Sequence, residues 1–144
     1  MKTISLIFTI LLFTLSTQSF ARDTLHHFSV KDVLNRSDAK AKLQGVKFYF
    51  GKTKSPKAKR KFGEYGTNQK TNAFNKTDKQ ACEWVMLSAL IKLHKKALDL
   101  GADAVVNIRS NYKDRIYSSK TEFECGAGSF LAGVALKGDF IKTK

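Results

Sequence analysis

Two cysteines, Cys82 and Cys125, are the only thiols in the 144-residue chain. They do not form a C-x-x-C pair, so their spacing does not favour a redox site. Apolar periodicity places Cys82 on the buried face of a predicted helix, and alternation places Cys125 on the inward face of a predicted strand. The first 21 residues have the pattern of a secretory leader, and in an exported chain a disulfide is the default state. We therefore predict a structural disulfide between them, with two free thiols as the alternative.

Three histidines, His26, His27 and His94, are the other side chains that commonly bind transition metals. A metal site needs three or four well-placed ligands. His26 and His27 are neighbours, and neighbours on a strand point to opposite faces. His94 lies at the edge of the apolar side of the predicted helix. A metal site at these histidines is the weaker alternative, and we expect no cofactor.

The carboxylates that come nearest to a catalytic pair are Glu122 and Glu124. Alternation puts Thr121, Phe123 and Cys125 on the inward face of a strand and the two glutamates on the outward face. Such an outward pair is usually solvated. The chain also lacks a Gly-x-Ser-x-Gly nucleophile motif. We predict that the protein is not an enzyme.

A basic segment, residues 51–61 (GKTKSPKAKRK), contains six cationic side chains and the only proline. Like charges repel one another, so the pattern predicts a loop or a hairpin tip. We expect it, with Arg109, Lys113 and Arg115, to contact anionic lipid, lipopolysaccharide or an envelope protein. Charge that serves only solubility is the alternative. The predicted contact residues are Lys52, Lys54, Lys57, Lys59, Arg60 and Lys61.

The first 21 residues have the pattern of a secretory leader. Lys2 gives a positive start, Ile4 to Leu15 is apolar, and Ser19 and Ala21 supply small residues before a cleavage site. The apolar run is shorter than the roughly 20 residues of a membrane span. We predict cleavage after Ala21 and a periplasmic or secreted protein, with a retained N-terminal anchor as the alternative.

The charge balance narrows the class of partner. The chain has 26 Lys and Arg against 12 Asp and Glu, a formal net charge of +14. Removing the leader takes away Lys2 and no acidic residue, which leaves +13 on residues 22–144. This charge favours anionic partners, and export makes nucleic acid the least expected of them.

Residues 22–144 have the length of a single domain. The N-terminal segment 22–44 is polar and mixed in composition. Within it, Ser29 and Asp32 have the spacing of a helix cap, which predicts a short helix ending at Leu34.

A strand is predicted next, because Val46, Phe48 and Phe50 alternate onto one face. Residues 62–71, which follow the basic segment, predict the return strand.

The longest periodic stretch predicts the core helix. Thr77 and Gln80 have capping-box spacing at its start, and Gly101 predicts a left-handed cap at its end. A wide apolar face would let this helix cover a sheet. The face consists of Cys82, Met86, Ala89, Leu90, Leu93, Ala97 and Leu100, flanked by Trp84, Leu87, Ile91 and Leu98.

Three strands are predicted after the helix, at residues 104–110, 121–125 and 131–141. In the first of them, Val106 and Ile108 are expected on one face. The predicted order is β-β-α-β-β-β: an α+β fold with one long amphipathic helix on a mainly antiparallel sheet and one disulfide.

The block LGADAVVNIR (100–109) ends this helix and begins a strand, and AGVALK (132–137) lies in the last strand. Over residues 75–141 the chain resembles the YbjQ-like family, which is described as heavy-metal-binding. The resemblance implies an α+β fold and metal handling, and cytoplasmic members of the family often form a ring-like homo-oligomer. The chain departs from the family in its leader, its predicted disulfide and its basic N-terminal half.

The helix-to-strand turn and the disulfide are also distantly similar to the envelope stress sensor RcsF, although no lipid-anchoring cysteine follows the leader. Similar small exported chains have been described as excinuclease ATPase subunits. That activity has no support here, because residues 126–133 lack the Gly-Lys-Ser/Thr ending of a phosphate loop. We expect an exported, non-catalytic binding or envelope-associated domain, with metal handling second and an enzyme third.

Overall fold

The computed structural model describes residues 21–144. Residues 1–20, which carry the predicted leader up to its last position, lie outside the described part. Among the helices of residues 21–144, none combines the length and the apolar character that a membrane crossing requires. The elements are β1 (Thr24–Ser29), α1 (Val30–Leu34), α2 (Ser37–Lys42), β2 (Lys47–Phe50), β3 (Arg60–Asn72), α3 (Asp78–Leu100), β4 (Ala104–Ser110), β5 (Glu122–Ala127) and β6 (Leu131–Lys142), with a 3-10 turn at Tyr112–Asp114.

The strands form one curled, mixed sheet built around β6. One edge of β6 pairs along its whole length with β3, and the other edge pairs with β4 and, nearer the start of β6, with β5. β1 extends the sheet beyond β5 in antiparallel pairing, and β2 extends it beyond β4 in parallel pairing. The α3 helix lies on this sheet, so the predicted α+β fold with a mainly antiparallel sheet is confirmed.

The basic segment is a loop up to Lys59, where β3 follows, and it is not a hairpin tip. β3 runs antiparallel to β6, with Arg60 opposite Lys142 and Asn72 opposite Leu131, whereas β2 pairs with β4. The hairpin alternative is therefore wrong. Only short turns of defined type fix the pairing of successive strands, so a loop of this length leaves β3 free to pair elsewhere.

The N-terminal segment contains more structure than its composition indicates. The predicted short helix is present as α1, and the Ser29 hydroxyl accepts a hydrogen bond from the Asp32 backbone N–H at 3.2 Å. β1 and α2 were not predicted. β1 is an edge strand of the sheet, and its polar residues give only a weak alternating pattern.

Both predicted ends of the core helix are confirmed. Thr77 and Gln80 form a reciprocal capping box, and Gly101 follows the last turn with a φ of 74°. The predicted width of the apolar face is only partly correct: Leu87 is buried, but the flanking side chains Trp84 and Leu98 are 52% and 55% exposed. The helix packs mainly against β3 and β6, and these two side chains lie on the part of its surface that faces solvent.

β4 contains a bulge that changes the faces predicted for its side chains. Val105 and Ile108 are fully buried, whereas Val106 is half-buried, so the expected pairing of Val106 with Ile108 on one face is wrong. Asn107 has a φ of 50°, and the pairing with β6 shifts register between Val106 and Arg109. A bulge adds one residue to the strand and reverses the alternation beyond it.

Candidate functional site

The two cysteines are joined. The Cys82–Cys125 disulfide connects the first turns of α3 to β5, with a Cα–Cα distance of 5.8 Å. Both residues are fully buried. Closing a loop of this length (43 residues apart in sequence) stabilises the fold by about 4 kcal/mol in the chain-entropy model. The disulfide is structural, and the thiols are not free for chemistry.

The three histidines lie in three separate places. His26 Nε2 is 2.8 Å from Asp78 at the start of α3, and His94 Nε2 is 2.7 Å from the Gln44 carbonyl oxygen. His27 points to the other face of β1, because neighbouring residues of a strand alternate. The structure therefore does not bring them together into one ligand set.

Metal handling stays a prediction of the family resemblance. Elemental analysis of native, untagged protein tests it. Stoichiometric zinc or copper that is lost after His26→Ala with His27→Ala, or after His94→Ala, would support the prediction, and protein without metal would contradict it.

Asp78, at the N-terminus of α3, has two side-chain partners, Arg22 and His26. Arg22 donates two hydrogen bonds to its carboxylate, at 2.7 and 2.8 Å. These bonds, aided by the one to His26, lower the pKa of Asp78 to about 2. The helix N-terminus adds favourable partial charge to the same carboxylate. The group ties residue 22 to the core helix.

Glu124 is the main departure from the sequence-based interpretation. Its predicted position on the outward face of β5 is correct, but the residue is only 4% exposed. The backbone N–H of Glu124 donates to the Ser110 hydroxyl at 3.0 Å, and Ser110 is itself buried. The segment after β4 crosses this face and pairs back through Ser110 and Tyr117. The expected solvated pair of glutamates is therefore wrong for Glu124.

The Glu124 carboxylate has weak partners. Oε1 lies 3.5 Å from His27 Nε2 and 3.7 Å from Arg115, and Oε2 has no hydrogen-bond partner among residues 21–144. The Tyr117 ring covers His27 at 4.5 Å between centroids. A buried polar atom without a partner is uncommon in folded proteins. The sequence signal that could have predicted the burial of Glu124 is the tyrosine-bearing bend between β4 and β5.

Tyr112 explains why β5 and β6 contain glycine where they pair. A Cβ on Gly126 would lie 2.1 Å from the Tyr112 hydroxyl oxygen, and the ring also lies against Gly133. The hydroxyl donates to Asp23 at 3.2 Å. Burial, with the nearby Asp23 carboxylate, raises the pKa of Tyr112. The glycines at these positions therefore leave space for the Tyr112 ring.

The basic segment remains as predicted on the outside of the fold. Residues 52–59 lie in a loop, and Arg60 and Lys61 begin β3. Arg60 lies over the Phe62 ring, with 4.9 Å to its centroid. All six predicted contact residues are exposed, and none forms an ion pair with a carboxylate of residues 21–144. We call residues 52–61 the basic loop.

Three further cations that the sequence associated with the basic loop are engaged elsewhere. Arg109 pairs with Glu64, and Lys113 pairs with Asp23. Arg115 lies 3.7 Å from the Glu124 carboxylate. The charges of these three cations are therefore compensated by carboxylates, whereas the charges of the basic loop are not.

Two features stand out in the described part of the chain: uncompensated positive charge outside, at the basic loop, and an unpaired carboxylate oxygen inside, at Glu124. Comparison of the chain with protein-family models, with curated proteins and with solved structures gave no match. Of the two features, only the basic loop is accessible to a large partner, because Glu124 lies beneath the β4–β5 connection.

Proposed function

We propose that the protein is an exported, non-catalytic binding domain that contacts anionic components of the cell envelope through the basic loop. The observation that supports the proposal is the loop's uncompensated charge: six exposed cations without a carboxylate partner in residues 21–144. Each Lys or Arg near an anionic membrane contributes about 1 kcal/mol of attraction. Six of them would hold a small protein to such a surface at low salt.

Salt dependence follows from the position of these charges. They are exposed, so their attraction to a surface falls as the Debye length shortens from about 30 Å at 0.01 M salt to about 8 Å at physiological strength. The expected behaviour is strong retention at low salt and weak retention at physiological salt. Binding that depended on apolar insertion would not weaken in this way.

Vesicle co-sedimentation tests the proposal. Purified protein is mixed with vesicles of phosphatidylglycerol and phosphatidylcholine in equal parts, and separately with phosphatidylcholine alone. We expect salt-dependent retention on the first and none on the second. Replacing Lys54 and Lys57 with Gln removes about 2 kcal/mol of attraction and weakens retention by roughly tenfold to thirtyfold.

The matched control removes the same net charge from α3 instead of the basic loop. Lys92 and Lys95 are exposed on α3, away from the basic loop in sequence. Lys92→Gln with Lys95→Gln should weaken retention by less than about threefold, because only the general charge changes. Equal losses in the two double variants, or no retention of the wild-type protein at low salt, would refute a role for the basic loop.

A further inference from the structure

A groove runs between β2 and the α1–α2 pair, beside the basic loop. It consists of two adjoining hollows of about 480 and 360 Å³. Leu34, Phe48 and Tyr49 line both hollows. Each volume falls within the roughly 300–1,000 Å³ of small-molecule sites. Thr53, at the start of the basic loop, lines the larger hollow and connects the two surfaces.

The floor of the groove is apolar. Leu34 and Phe48 pack against the hydrophobic core but stay half-buried, so part of each side chain faces the groove. Val30 and Phe50 close the larger hollow, and Leu43 contributes to the smaller one. A floor of this kind accommodates an alkyl chain and offers little to a polar ligand.

Four lysines surround the apolar floor. Lys31 and Lys120 line the larger hollow, and Lys40 and Lys47 line the smaller one. All four are exposed, and none pairs with a carboxylate of residues 21–144. The lining of both hollows contains no Asp or Glu. The rim therefore carries positive charge without local compensation.

The acidic residues of α1 and α2 do not neutralise this rim. Asp32 lies 3.5 Å from Lys79 of α3, and Asp38 lies 2.8 Å from Arg36. Arg36 lowers the pKa of Asp38 to about 2, which keeps that carboxylate ionised and engaged with its partner. Both acids are thus directed to other cations, and the groove keeps its net positive character.

We propose that this groove binds a fatty acid, with the alkyl chain on the apolar floor and the carboxylate among the rim lysines. Charge complementarity selects this occupant, because an apolar groove whose only charged lining residues are lysines matches a long chain that ends in an anion. The proposal goes beyond the proposed function, because the groove lies beside the basic loop and its ligand is held by other lysines. A lysine rim also holds the head group by exposed ion pairs, each contributing roughly 0.2–1 kcal/mol.

Isothermal titration of the purified protein with decanoate, below its micelle concentration, tests the inference. We expect one decanoate per chain, bound about tenfold more tightly than 1-decanol, which has the chain without the charge. Acetate, which has the charge without the chain, should not bind. Chemical-shift changes in the NMR spectrum should centre on Leu34, Phe48 and Tyr49.

Paired substitutions distinguish the contribution of the rim lysines from that of the overall positive charge. Lys31→Gln with Lys120→Gln should bring the decanoate affinity down by about threefold to tenfold, toward that of 1-decanol. Lys92→Gln with Lys95→Gln should leave it within twofold. All four positions are exposed, and circular dichroism verifies that both variants are folded. Decanoate that does not bind, or that binds equally to both double variants, would overturn the groove assignment.

The vesicle and decanoate experiments can refute the two proposals independently. Loop-dependent retention on anionic vesicles without decanoate binding would refute the groove and leave the proposed function standing. Decanoate binding in the groove without any vesicle retention would refute surface contact by the basic loop. Shifts centred away from β2 and α1 would refute the fatty-acid site even where an affinity is measured.

Discussion

Replacing Glu124 with glutamine should stabilise the fold. The residue is only 4% exposed, and its Oε2 atom has no hydrogen-bond partner in residues 21–144. A buried polar atom left without a partner costs about 1–3 kcal/mol, and more when it belongs to a charged group. Glutamine has nearly the same shape and no charge, so it lowers this cost without opening a cavity.

The partners of Glu124 offset only part of that cost. Arg115 lies 3.7 Å from the carboxylate, and its side chain is 62% exposed. An ion pair with so exposed a cation contributes about 0–1 kcal/mol. The His27 contact, at 3.5 Å, is longer than an ordinary hydrogen bond. Desolvation therefore outweighs the contacts, and we expect Glu124→Gln to raise the free energy of unfolding by about 1–2 kcal/mol.

Urea denaturation at neutral pH, with the disulfide intact, measures this change as a higher midpoint with an unchanged slope. Glu122→Gln is the matched control, because that residue is exposed on the same face and accepts one hydrogen bond from Tyr117. The control should change the free energy of unfolding by less than about 0.5 kcal/mol. A loss of more than about 1 kcal/mol in Glu124→Gln would refute the reasoning, since it would mean that the ionised carboxylate is well paired.

Three further predictions concern the contacts that hold the fold. Replacing Cys82 and Cys125 with Ala should lower the free energy of unfolding by about 4 kcal/mol, and an unchanged urea midpoint would contradict the chain-entropy account. Gly126→Ala should displace the Tyr112 ring and cost about 1–2 kcal/mol; combined with Tyr112→Ala it should cost less than the sum, and strict additivity in thermal denaturation would argue against their contact. Because the pKa of Asp78 is about 2 when folded and about 3.9 when unfolded, its ionised form stabilises the fold above about pH 4, and this contribution is lost as the pH falls toward about 2. Asp78→Asn should therefore lose less stability than the wild type between these pH values, and parallel melting curves would contradict the assigned ion pair.

Local patterns were sufficient to predict the elements whose signals lie within a few residues. The capping box of Thr77 and Gln80 and the left-handed cap at Gly101 are both present, because capping depends on hydrogen bonds between near neighbours. The disulfide was also predictable, since each cysteine lies on the inward face of its own element. The fold class follows from the order and periodicity of these elements.

Pairing partners were not predictable in the same way. β3 pairs with β6 rather than β2, and β2 pairs in parallel with β4. Alternation shows which face of a strand is buried, but not which strand lies beside it. The bulge at Asn107 is a similar case, because one extra residue reverses the alternation without a warning in composition.

Local periodicity, and charge that cannot be buried, are enough to predict the core helix, the disulfide and the position of the basic loop outside the fold. Which cations remain without a carboxylate partner depends instead on how distant segments pack together. Arg109, Lys113 and Arg115 have carboxylate partners from distant parts of the chain, whereas Lys54 and Lys57 have none in residues 21–144.

The burial of Glu124 also depends on the tertiary structure, because the β4–β5 connection covers a strand face that alternation alone assigns to solvent. Contacts between residues far apart in sequence leave no local pattern.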